Sequence, residues 1–265
     1  MKTTKLLLFN IIFIALLTFS CESKKEKATE TEKSDTESST EIQLITSDSL
    51  DIYGDLYQLD KSAPTILLFH QGGSNARAEY EPIIPILTAK GYNILAIDQR
   101  VGGQIYGSYN RSVAKIKHRD YGYCDAYPDL EAALDYVIEN GFNGPRIAWG
   151  SSYSGSLVIQ LGHNRPDDID AILAFSPASS QQLEECLPSP YFETLKPSLL
   201  ILRPGREAEI ESVQEQLKLA ESFNHQTYVA PNGVHGSSML VKERTKSSTD
   251  DTFNTVLDFL EKYNN

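Results

Sequence analysis

The chain has 265 residues, 40% of them hydrophobic and 23% charged, which suits a globular protein of one large domain or two small ones. Its 24 basic and 36 acidic residues leave a net charge of −12. That balance argues against nucleic acid as a partner, because phosphate binding needs concentrated positive charge. No window of 20 to 50 residues repeats, which speaks against a solenoid or propeller.

The N-terminus "MKTTKLLLFNIIFIALLTFSC" places Lys2 and Lys5 before an apolar stretch from Leu6 to Leu17, then Ser20 before Cys21. This is the layout of an export signal, too short and too early for a comfortable transmembrane span. The end from Leu17 to Cys21 resembles a bacterial lipobox, which implies a signal peptide over 1–20 and a lipidated Cys21 as mature N-terminus. It also implies an exported, membrane-anchored protein, periplasmic or on the cell surface. A plain secretory signal or an uncleaved anchor is the alternative. Residues 21–40 are almost free of apolar side chains and read as a disordered tether, reaching roughly 60 Å when extended. Without residues 1–20 the balance is 22 basic to 36 acidic, or −14.

A folded domain is expected over 41–265. "EIQLITS" and "DIYGDLYQL" alternate apolar and polar residues, as in two antiparallel strands. "TILLFH" (65–70) and "NILAID" (93–98) are near-continuous apolar runs, the pattern of strands buried on both faces. Between them "EYEPIIPILTAKG" reads as one short amphipathic helix, and "DLEAALDYVIENG" (129–141) as a stronger one. Strand "RIAW" (146–149), helix "SGSLVIQLGH", and strands "AILAFS" (171–176) and "SLLIL" (198–202) follow. A helix over about 209–223, strand "QTYVA" (226–230) and a helix around "TFNTVLDFLEKY" complete the chain. Repeated strand–helix units make an α/β fold with a mostly parallel central sheet and helices on both faces. Chemistry in such sheets collects at the carboxyl ends of the strands.

At one such end stands "GSSYSGS" (150–156). A nucleophile on a strand-to-helix elbow tolerates only small side chains two positions to either side. Ser151 would have Trp149 and Tyr153 there, and Ser154 lies too far from the strand. Ser152, between Gly150 and Ser154, meets both conditions. Here the chain resembles the α/β-hydrolase superfamily, whose elbow is G-x-S-x-G, with Ser154 in place of the second glycine. The form G-x-S-Y-x-G is similar to that of the cocaine esterase and X-prolyl peptidase group. The compact domain looks more like a dienelactone hydrolase, with serine where those use cysteine. Only about twenty residues separate "AILAFS" from "SLLIL", too few for a large cap domain.

The resemblance implies further site residues. His235 in "PNGVHGSSML" matches the family's terminal histidine; His70 belongs to the glycine-rich loop, and His118, His163 and His225 fall on surface-like or helical stretches. The loop "LLFHQGGSN" implies an oxyanion hole from the N–H groups of Gly72 and Tyr153, with a slip to Gln71 as the alternative. The triad acid is expected just after "SLLIL", where Glu207 fits the register better than Glu209.

Residues 99–128 form a long connection carrying a local charge of +3 and Tyr106, Tyr109, Tyr121 and Tyr123. It reads either as a solvated loop or as a selector of anionic substrates through Arg111, Lys115 and Lys117. Cys124 and Cys186 are either a disulfide, contributing about 4 kcal/mol by loop entropy, or two free thiols. No cysteine–histidine cluster has zinc spacing, so neither a metal nor an organic cofactor is expected. The expectation is a serine hydrolase cleaving small-molecule carboxylic esters. Peptides or amides are the alternative substrates, and a non-catalytic binding lipoprotein is the rival from another class.

Overall fold

A computed structural model describes residues 38–117 and 120–264. The expected signal peptide, Cys21, nearly all of the tether, His118 and Arg119 lie outside the described residues. Eight strands form one sheet: β1 (Thr40–Ile45), β2 (Asp51–Tyr57), β3 (Thr65–Phe69), β4 (Asn93–Asp98), β5 (Arg146–Ser151), β6 (Ala171–Phe175), β7 (Ser198–Pro204) and β8 (Gln226–Ala230). Their order is β1-β2-β4-β3-β5-β6-β7-β8. β1 pairs with β2 and β2 with β4 antiparallel, and every other pairing is parallel.

The parallel strands bury both faces, which is why they read as unbroken apolar runs. Successive residues serve opposite cores. Leu67 and Phe69 face the cluster that also holds Leu130, Leu157 and Val213. Ile66 and Leu68 face the one with Tyr80, Trp149 and Phe259. The first layer is built by α4 (Tyr127–Glu139), α5 (Tyr153–Asn164) and α6 (Glu211–Ser222). The second is built by α1 (Ala76–Tyr80), α2 (Ile84–Ala89) and α8 (Asp250–Glu261). Short helices α3 (Arg111–Lys115) and α7 (Lys242–Thr245) complete the set among the described residues. This is the α/β-hydrolase arrangement that the sequence implies.

Three expectations need correction. The single helix expected over 79–91 is two, because Pro82 has no N–H to donate and Pro85 starts the second at its first turn. Glu209 does not open α6; it ends a 3-10 turn, Glu207–Glu209, one residue before the Ile210 cap. The 99–128 connection is exposed along much of its described length, but part of its basic charge is not at the surface. It contains α3, capped by Asn110, whose Oδ1 accepts the Val113 N–H at 2.8 Å. Arg111 is buried, donating to Asp98 at 2.6 Å and to both oxygens of Asp55 at 2.9 and 3.0 Å. Arg100 is buried on Asp129 at 2.8 and 2.9 Å. Two of the charges counted as a surface patch are thus neutralised inside the domain. Lys115 lies 3.6 Å over the Tyr53 ring and, with Lys117, lines a groove that includes none of Ser152, Glu207 and His235.

Between β6 and β7 the chain makes only two 3-10 turns, Gln181–Cys186 and Ser189–Tyr191.

Candidate active site

Ser152 stands between β5 and α5 at φ 62° and ψ −124°, a conformation that costs an L-residue energy unless its surroundings impose it. They do. The Ser152 N–H donates to Phe175 O at 2.7 Å, and Gly155 N–H closes back on Ser152 O at 2.8 Å. A β-carbon on Gly150 would collide with the Ser154 carbonyl, so glycine is required two residues before the elbow. Ser154, two residues after it, is buried, and its hydroxyl donates to His70 O at 2.6 Å, with Gln99 Oε1 3.0 Å away. Ser151 is buried in β5, where its Oγ accepts the Ser237 N–H at 2.9 Å. Of the three neighbouring serines, Ser152 alone lines the cleft.

That cleft, about 330 Å³, is also lined by His235, Glu207, Arg203, Tyr153, Leu183, Ile210 and Val213, with the segment 176–180. His235 Nδ1 and Glu207 Oε1 are 2.6 Å apart. This pairing puts the proton on Nδ1 and leaves Nε2 as the basic nitrogen. Among the described residues no hydrogen bond joins Ser152 to His235, although both face the same space. Such bonds commonly tighten only around substrate. Glu207 Oε2 accepts from Arg203 Nη1 at 2.9 Å. Burial works to raise the Glu207 pKa, but the hydrogen bond and charge of His235, with the Arg203 guanidinium, outweigh it and hold it below the usual range. Glu209 is exposed and does not line the cleft.

The loop carrying His235 is fastened from below. Gly236 N–H donates to Ser176 Oγ at 3.1 Å, and Trp149 Nε1 donates to Ser237 Oγ at 2.8 Å. Gly236, at φ 68°, approaches Ser151 so closely that any β-carbon would collide with its hydroxyl. Ser176, Ser237 and Arg203 escaped the sequence reading; the polar run "HGSS" was the one available hint.

On the other side, β3 is followed by His70-Gln71-Gly72-Gly73. His70 is fully buried, and burial holds its pKa below the usual value. Neutral, it donates from Nδ1 to Gln71 O at 2.9 Å and accepts the Gln99 N–H on Nε2 at 3.1 Å. The Gln71 N–H is taken by Glu79 Oε2 at 2.8 Å, which removes the slipped register for the oxyanion donor. Among the described residues, neither the Gly72 nor the Tyr153 N–H has a backbone acceptor. Glu79 itself has no exposed surface, its Oε1 has no partner, and burial pushes its pKa up to about 7. The sulfurs of Cys124 and Cys186 are bonded to each other. No group of three or more potential metal ligands occurs among the described residues.

The family described as serine aminopeptidase, S33, matches residues 60–230, which hold β3 to β8 with the elbow and Glu207. The chain belongs to this family. Its members are α/β hydrolases, and membership makes the chain a serine hydrolase. No curated protein matches the sequence. An esterase from Pyrococcus furiosus is similar in structure, with TM-score 0.64 and 19% identity over 86% of this chain and 92% of its own. A dienelactone hydrolase from Anabaena variabilis gives 0.65 and 12% over 86% and 99%. An acylaminoacyl peptidase from Pyrococcus horikoshii gives 0.63 and 13% over 86% of this chain and 42% of its own. At these identities the three likenesses speak for the fold. Within the S33 family, chemistry has to be argued from the cleft.

Proposed function

We propose that the protein hydrolyses carboxylic esters with a neutral, mainly apolar acyl group, through an acyl-enzyme on Ser152. Ser152 Oγ attacks the ester carbonyl and its proton passes to His235 Nε2. Glu207 holds the imidazole in the required tautomer and stabilises it once charged. Negative charge collects on the former carbonyl oxygen, within reach of the Gly72 and Tyr153 N–H groups. His235 then returns the proton to the departing alkoxide. Water repeats the sequence and frees the acid.

The observation that carries the choice of ester is the charge inventory of the cleft. Its one carboxylate is Glu207, already engaged by His235 and Arg203. An aminopeptidase has to hold a free substrate ammonium, and an unpaired buried ammonium is costly. Among the residues lining the cleft no carboxylate is left for that duty. Leu183, Ile210, Val213 and Pro177 offer an apolar wall instead. A peptide or amide with a blocked N-terminus is the second reading, favoured by the family's description.

The test is a panel of neutral esters, anionic esters, free aminoacyl amides and blocked aminoacyl amides, with Ser152→Ala as control. Neutral esters should give the highest kcat/KM. Preference for free aminoacyl amides would overturn the ester reading, and no labelling of Ser152 by a fluorophosphonate would favour a binding protein. Export and lipidation at Cys21 are proposed alongside, supported by the charged, apolar and small-residue segments before it.

A further inference from the structure

Glu79 is a buried carboxyl that the proposed reaction leaves without a task. It sits in α1 with no exposed surface, and its Oε1 has no hydrogen-bond partner. Among the described residues it forms no salt bridge, whereas the buried Asp55, Asp98 and Asp129 each pair with an arginine. A buried acid in this state destabilises the fold, so its presence calls for a reason.

The reason lies in the loop after β3. Glu79 Oε2 accepts the Gln71 N–H at 2.8 Å. The carbonyl of the same peptide unit, His70 O, accepts from Ser154 Oγ at 2.6 Å. A peptide unit is planar and trans, so a grip on both ends fixes how its plane lies. The next unit is fixed at its oxygen, since Gln71 O accepts from His70 Nδ1 at 2.9 Å and from the Ser74 N–H at 3.2 Å. The N–H of that second unit belongs to Gly72. Its direction is therefore set by two gripped peptides in a row, and Glu79 supplies the grip from α1.

α1 is itself tied to the histidine side of the site. Arg244 Nη1 donates to the main-chain oxygen of Glu79 at 3.0 Å and to Ser238 Oγ at 3.2 Å. Ser238 lies in the 3-10 turn Gly236–Leu240, which begins directly after His235. Glu79 thus reaches the loop after β3 through its side chain and the histidine turn through its backbone.

We propose that Glu79 is a positioning residue for the hydrolysis, which holds the Gly72 N–H aimed at the oxyanion by gripping the N–H of Gln71. The proposal rests on the acyl-enzyme reading above. Glu79 touches no substrate atom and passes no proton. It acts before the reaction, by fixing a donor that has to be in place when charge appears on the carbonyl oxygen. Reach is what counts here, because an amide oxygen in the same position would accept the same N–H. Misplacing such a donor by about 1 Å costs on the order of 100-fold in rate.

The experiment compares Glu79→Gln, Glu79→Asp and Glu79→Leu with the parent, all in the full chain. The substrates are phenyl acetate and its thiono counterpart, in which sulfur replaces the carbonyl oxygen. Sulfur is a weak acceptor, so the thionoester reports the turnover that remains without the oxyanion donors. Glu79→Gln should stay near the parent. Glu79→Asp, a methylene shorter, and Glu79→Leu, without an acceptor, should lose roughly 10- to 100-fold in kcat for phenyl acetate at little changed KM. Their loss on the thionoester should be much smaller, so the ratio of the two rates falls.

A parent-like kcat in Glu79→Leu overturns the proposal. So does an equal loss on both esters, which marks general damage to the fold. A loss in Glu79→Gln beside a parent-like Glu79→Asp would make charge rather than reach the working part, and overturns it too. If Glu79→Leu fails to fold, the comparison of Glu79→Asp with Glu79→Gln decides. Fluorophosphonate labelling of the parent and of Ser152→Ala, measured in parallel, tells a failed positioning role from a failed acyl-enzyme reading.

Discussion

The three serines of the elbow show how neighbours decide a side chain's chemistry. Ser151 and Ser154 are buried with hydroxyls committed to Ser237, His70 and Gln99, whereas Ser152 stands at the cleft. Ser152→Ala should lower kcat by roughly 10⁴ to 10⁶ with folding intact. Ser151→Ala and Ser154→Ala should each keep the nucleophile and cost about 1 kcal/mol of stability per lost hydrogen bond. Turnover and thermal melts on the three variants check this; an inactive Ser154→Ala would move the nucleophile. Glu207→Gln keeps the shape of the acid but removes the charge that faces His235 and Arg203. Its kcat should fall by orders of magnitude while Glu209→Gln stays near the parent, which steady-state kinetics on the pair will show.

At the scale of elements, α3 is locked to the sheet by charge. Arg111 joins Asp98 at the end of β4 to Asp55 in β2, both carboxylates almost fully buried. Removing one partner of a buried pair leaves the other charge stranded, at a cost of about 3 to 5 kcal/mol. Arg111→Met should therefore lower Tm by about 10 °C for a domain of this size. A substrate panel on the surviving protein separates this from a role in binding. The Lys115→Ala/Lys117→Ala variant should leave KM for anionic esters unchanged, since neither residue lines the Ser152 cleft. A rise in KM for anionic esters alone would restore the selector reading.

For the whole molecule, Glu79 makes stability depend on pH. Its folded pKa is about 7 against an ordinary value of 4.5, because it is buried. The folded state thus keeps a proton that the unfolded state gives up, so its contribution is present below about pH 4.5 and is lost as pH rises through about 7. The difference amounts to about 3 kcal/mol across that window. Glu79→Gln should flatten this part of the stability curve, seen as a smaller fall in denaturation midpoint between pH 5 and about 8. An equal fall in parent and variant would assign the effect elsewhere. Placement in the cell is the other property at this scale. Cys21→Ser should release the protein from the membrane fraction, and unchanged partitioning with the signal removed would reject lipidation.

How much of this was legible beforehand follows from the range of the interactions. Strands β3 to β8 and helices α4 to α6 could be read locally, because burial on two faces or one writes a period into a few consecutive residues. Ser152 could be read the same way, since the bulk of Trp149 and Tyr153 decides the elbow within five positions. His235 and Glu207 came from chain order and family likeness, and their 2.6 Å contact spans 28 residues. Nothing local marks Arg203 as the partner of that acid, or Ser176 and Ser237 as the floor under the histidine. Arg100 and Arg111 looked like surface charge because composition counts a side chain without saying where it points. Asp48, Asp55, Asp98 and Asp129 reach them only after β2 pairs antiparallel with β4 and α4 packs beneath. The Cys124–Cys186 bond likewise joins positions 62 residues apart. Periodicity and steric bulk act between neighbours in sequence, whereas ion pairs, buried acids and walls of a cleft exist only once distant segments have met.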